Sequence, residues 1–105
     1  MTDAILVLCT CPDEATADLI CDQLLGRRLA ACINQLPGLT SVYRWQGQIE
    51  RAREIQLIIK SSAALFEPLR ECILALHPYE VPEILALPVS LGHQPYLDWL
   101  AGETA

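Results

Sequence analysis

The chain has 105 residues, of which 52% are hydrophobic and 6% aromatic, enough for one domain with an aliphatic core. Its 13 acids against 7 lysines and arginines leave a formal charge of -6. That average repels a phosphate backbone, and the basic residues form no stripe, so no nucleic-acid partner is expected.

A mean hydropathy of +0.30 is high for so short a chain and points to oily surface buried against another subunit. No apolar run approaches the ~20 residues that cross a bilayer, and no basic segment leads into a long apolar one. Neither a membrane partner nor a signal peptide is expected. The five cysteines, Cys9, Cys11, Cys21, Cys32 and Cys72, are odd in number and form no CxxC pair. This argues for a reducing, cytoplasmic compartment rather than a disulfide framework.

AILVLCTC, Ala4 to Cys11, is almost unbroken in hydrophobicity and predicts a strand covered on both faces. Pro12 stops it, Asp13 can cap a helix, and Glu14 suits the first turn. Ala17, Ile20, Cys21, Leu24 and Leu25 recur at helical spacing, and Gly26-Arg27-Arg28 ends the segment. Ala31 to Val42 predicts a second strand with a bulge or bend at Pro37-Gly38. Gln46-Gly47 then turns the chain into a return strand on which Ile55, Leu57 and Ile59 share a face.

This hairpin is roughly twice the usual strand length of about 5–6 residues. A small domain cannot cover it, so its tip, with Tyr43 and Trp45, is expected to project and to pair with another chain. Ser61-Ser62 opens a second helix in which Pro68 lies in the first turn or bends it, with Leu65, Leu69, Cys72, Ile73 and Leu76 as its apolar stripe. Pro78 ends it at Leu76 or His77. ILALPVSLG predicts a fourth strand, and PYLDWL a short helix or a strand-like flap. The order strand, helix, strand, strand, helix, strand predicts an α+β, ferredoxin-like sandwich.

Chemistry-bearing groups gather in two places. HPYEVPE, His77 to Glu83, is either a cluster for holding a ligand or a rigid exit from the helix with solvated acids. Cys9 and Cys11 share a face of the first strand, at its end before a helix N-terminus, where a thiol's pKa can fall. Thiolate with imidazole suits copper(I) or zinc, whereas small cysteines also serve as buried packing groups. Cys72 and His77, about 140° apart around a helix, meet only if the helix ends before His77. No nucleophile elbow, P-loop or dinucleotide fingerprint is present, and CTCPDEATAD is too acidic to cradle phosphate, so no enzyme is expected.

LVLCTCPDEATAD, RRLAACINQLPGLTSVYRWQGQIE and HPYEVPEILALPVSLGHQPYLDWL together resemble the CutA family of divalent-cation tolerance proteins, from about Ile5 to Leu100. The resemblance implies a ferredoxin-like protomer in a cytosolic homotrimer associated with tolerance of divalent metals, copper in particular. By position it implies Cys9 and His77 as metal ligands. Members with a second histidine hold it where this chain has Leu76, which leaves two protein donors. Cys11, Glu80 or Glu83 are the candidate substitutes, and Tyr43 and Trp45 the candidate trimer contacts. A rival expectation is a trimeric scaffold or signalling protein that takes a small ligand or a partner protein in clefts between subunits.

Overall fold

The computed structural model describes residues 2–105. Strand β1, Ala4–Cys11, runs through the middle of a four-stranded sheet whose order is β2-β3-β1-β4. The central position accounts for its unbroken apolar sequence: Val7, Cys9 and Cys11 are fully buried. Pro12 ends the strand, and Asp13 caps helix α1, Glu14–Gly26, by accepting the Thr16 N–H at 2.8 Å. The helix ends as the glycine suggests, and Arg28 then takes up a left-handed φ of 56°.

The long hairpin is present. Strand β2 spans Cys32–Trp45 and β3 spans Gln48–Ser62, joined through Gln46 and Gly47 with φ of 49° and 79°. Two left-handed residues in a row match the right-handed twist of the strands they join. The register shifts between Leu36 and Leu39, where Pro37 withholds a donor and Gly38 adopts φ 72°. The molecule measures 44 × 26 × 23 Å, elongated as two such strands require.

Two predicted boundaries moved. Ser61 and Ser62 do not open a helix; they stay in β3, opposite Ile5 and Ala4. The buried Ser61 hydroxyl donates to the Leu29 carbonyl at 2.6 Å, so serine here ties strand to loop. A single 3-10 turn, Ala63–Leu65, intervenes before helix α2, Phe66–Leu76, which holds Pro68 in its first turn. Strand β4 shrinks to Leu85–Pro88 at the sheet edge, its end held by the Val89 N–H on the Ala4 carbonyl. The C-terminal segment is helix α3, Gln94–Glu103.

Helices α1 and α2 pack on one face of the sheet, where Ile20, Leu24, Leu69 and Ile73 meet Val7, Leu57 and Ile59 in the core. Each such side chain contributes about 1.5–3 kcal/mol by leaving water. Helix α3 lies on the opposite face: Lys60, adjacent in β3 to the core residue Ile59, points away from the core and sets its ammonium 5.6 Å from the Tyr96 ring. The result is the ferredoxin-like sandwich with one helix added.

Candidate metal centre

Cys9 and Cys11 sit at the end of β1, and period-two alternation turns both toward the face that α1 and α2 cover. The third member arrives from α2. Pro78 forbids a further helical residue, so His77 leaves the helix with φ -78° and ψ 134° and its ring turns back over β1. The donor atoms of Cys9, Cys11 and His77 lie within 4.8 Å of one another, and all three residues are buried. Among the described residues no other three cysteines, histidines or acids converge in this way. Cys72 is buried in the core as a packing group, and Glu80 and Glu83 stand outside the trio.

Hydrogen bonding fixes the imidazole. Nδ1 accepts the Tyr79 N–H at 3.2 Å, which assigns the ring proton to Nε2, and Nε2 donates to the Thr10 carbonyl at 2.7 Å. Both ring nitrogens are therefore in use. The corner after α2 is held by its histidine, which explains HPYEVPE structurally whether or not an ion binds.

The two thiols act as a unit. Cys9 is pushed well above the ordinary thiol range, first by its S–H bond to Cys11 and then by burial, with the charges of Cys11, Glu83 and Glu54 adding to it. Cys11 is lowered, because a thiolate there accepts the Cys9 S–H; burial and the Asp13 and Glu54 charges oppose this. Cys9 is thus the partner that keeps its proton more firmly. Two thiols and an imidazole are a chemically suitable set for a soft ion such as copper(I) or zinc, with a further coordination position left open. An ion held there would have to displace the Cys9 proton and free one imidazole nitrogen from its hydrogen bond.

Next to the trio opens a cleft of about 570 Å³ between the hairpin and the corner. Tyr43, Trp45, Glu80 and Glu83 all line it, which is where the structure places the remaining candidates. The floor is Glu54, which accepts the Tyr79 hydroxyl at 2.6 Å. Burial, and then this bond to a carboxylate, raise the Tyr79 phenol above its ordinary pKa and keep it a donor. Sequence reasoning missed Glu54. Its parity puts it on the face away from α1 and α2, and the residue that covers it lies 25 positions later.

Comparison with known proteins gives a consistent picture. The family described as CutA1 divalent ion tolerance protein matches residues 5–103. A divalent-cation tolerance protein CutA of Thermus thermophilus is 50% identical over 94% of this chain and 96% of its own length. The crystal structure of CutA from Xylella fastidiosa superposes with a TM-score of 0.95 at 46% identity, covering 99% of this chain and 100% of that one. A protein described as the periplasmic divalent cation tolerance protein CutA of Archaeoglobus fulgidus has a TM-score of 0.92 at 34% identity, over 95% and 97% of the two chains. With a sheet, a hairpin and a corner that all superpose on these relatives, the chain belongs to the CutA1 family of divalent-ion tolerance proteins.

Proposed function

We propose that the chain binds copper, or a similarly thiophilic ion, through Cys9, Cys11 and His77, and that it acts in divalent-cation tolerance by holding the ion rather than by catalysis. The observation that carries this reading is the convergence of three buried soft donors within 4.8 Å. Cys11 supplies what the absent second histidine would have given. The family's description supports the link to divalent ions. Free thiols at all five cysteines suit a reducing, cytoplasmic setting.

The working unit in this proposal is a homotrimer. Strands β2 and β4 are the two sheet edges, and both carry exposed apolar side chains: Val42 and Trp45 on one, Leu85 and Leu87 on the other. An unpaired, oily edge is a template for a neighbouring chain, and three copies would cover one another's hairpins.

The test is an anaerobic titration of the reduced protein with copper(I) against a chromophoric chelator. One ion per protomer is expected in the parent, with a large loss of affinity in Cys9→Ser, Cys11→Ser and His77→Ala. Parent-like binding in all three folded variants would remove the site.

A further inference from the structure

Tyr79 holds two neighbours at once. Its backbone N–H donates to Nδ1 of His77 at 3.2 Å, and its ring lies against the imidazole, with centroids 4.7 Å apart and planes tilted by 50°. Pro78 stands between them with a fixed φ, so His77 and Tyr79 move as one piece. The Tyr79 hydroxyl reaches the other way and donates to Oε2 of Glu54 on β3 at 2.6 Å.

Little else ties this piece to the sheet. Among the described residues, side-chain hydrogen bonds join the corner, 77–83, to the strands at two points: His77 to Thr10 of β1, and Tyr79 to Glu54 of β3. Strand β4 begins only at Leu85, opposite Leu8, and leaves the stretch from Cys9 to Cys11 to the corner. Both cysteines are fully buried, with their sulfurs and the His77 ring nitrogen within 4.8 Å of one another. His77 lies beyond the end of α2, so the imidazole is the movable part of their cover.

The two ties differ in kind. An ion on His77 would take one ring nitrogen and the hydrogen bond that nitrogen makes. The Tyr79–Glu54 bond uses neither nitrogen. It is a short O–H bond to a carboxylate only 7% exposed, which is among the stronger hydrogen bonds. It also lies within one chain and uses none of the side chains assigned above to the homotrimer's contacts.

We infer that the Tyr79–Glu54 hydrogen bond is the latch of the thiol trio. Tyr79 is a positioning residue that keeps His77 over the sulfurs, and release of its hydroxyl uncovers Cys9 and Cys11 while the core stays folded. The seal belongs to the metal-free chain; its use in governing how fast an ion enters rests on the metal-binding reading.

The experiment uses the full chain, reduced and treated with chelator, at one fixed pH. Iodoacetamide labelling of each cysteine is followed by mass spectrometry of its peptide. Tyr79→Phe keeps the ring and the N–H. It should label Cys9 and Cys11 about tenfold faster or more, as expected for one lost hydrogen bond to a charged group, with Cys72 in the core unchanged. Glu54→Gln keeps an acceptor and should label at close to the parent rate. Should Tyr79→Phe fail to fold around the orphaned carboxylate, Tyr79→Phe with Glu54→Leu removes both partners and should label as fast. Unchanged labelling in these variants would overturn the inference. So would an equal rise at Cys72, which reports global unfolding, or an equal rise in Glu54→Gln, which reports lost charge rather than a lost bond. Copper(I) added to the same proteins separates the two readings. A parent that takes up no copper while labelling responds as stated removes the metal site and leaves the latch standing. A parent that binds copper while Tyr79→Phe labels no faster removes the latch alone.

Discussion

The Nε2–H of His77 donates to the carbonyl of Thr10 at 2.7 Å, so the residue after α2 ties down the part of β1 that β4 does not reach. Removing that ring should be felt as lost stability even without any ion. His77→Ala leaves a buried carbonyl short of a donor, which costs about 1–3 kcal/mol. Chemical denaturation of the metal-free protein measures this. An unchanged midpoint would show that the corner is held by other means.

Metal loading should release protons and tighten as pH rises. Cys9 is held protonated by Cys11 and by burial, so an ion bound through its sulfur must displace that proton. Calorimetry in buffers of different ionisation enthalpy counts the protons. Binding with no proton release, or of equal strength across pH 6 to 8 (about the range in which imidazole and thiols compete with metals), would contradict the thiol pair as ligand.

The α1 cap gives a signature in acid. The Thr16 N–H lowers the Asp13 pKa, so its stabilisation is present above the unfolded value of about 3.9 and disappears as pH falls through the lower folded value. Asp13→Ala should therefore melt below the parent at neutral pH, and the gap should close only in acid below about pH 4. Asp13→Asn, which keeps an acceptor, should recover much of the loss at neutral pH. A gap that is flat through this range would mean the carboxylate does not cap.

Assembly is tested by mass. Sedimentation of the parent should give three times the 11.6 kDa of one chain. Leu85→Asp together with Leu87→Asp should lower that mass, because both side chains are exposed on the edge strand. A parent that sediments as a single chain would refute the homotrimer.

Much of the fold was legible because its signals are local. The unbroken run of β1, the Pro37-Gly38 interruption and the Gln46-Gly47 turn each act within a few residues, and each appears where the sequence puts it. Ser61-Ser62 misled because serine suits a helix cap and a strand end equally. Pairing with Ala4 and Ile5 decided between them, and that is a long-range contact. The site divides the same way. Alternation along β1 put Cys9 and Cys11 on one face, and Pro78 ended the helix at the right residue. Where α2 would point His77, and that Tyr79 would cover Glu54, depend on how helix and corner pack against the sheet. No local pattern records that.

Strand β4 stops opposite Leu8, and this has a consequence for access. From Ile5 to Leu8 the first strand is zipped along both borders; from Cys9 to Cys11 only β3 zips it. Thermal fraying can begin at the half-zipped end and spare the rest of the sheet. An ion reaching the sealed sulfurs of the proposed site would therefore meet its weakest barrier at this strand tip, beneath the imidazole.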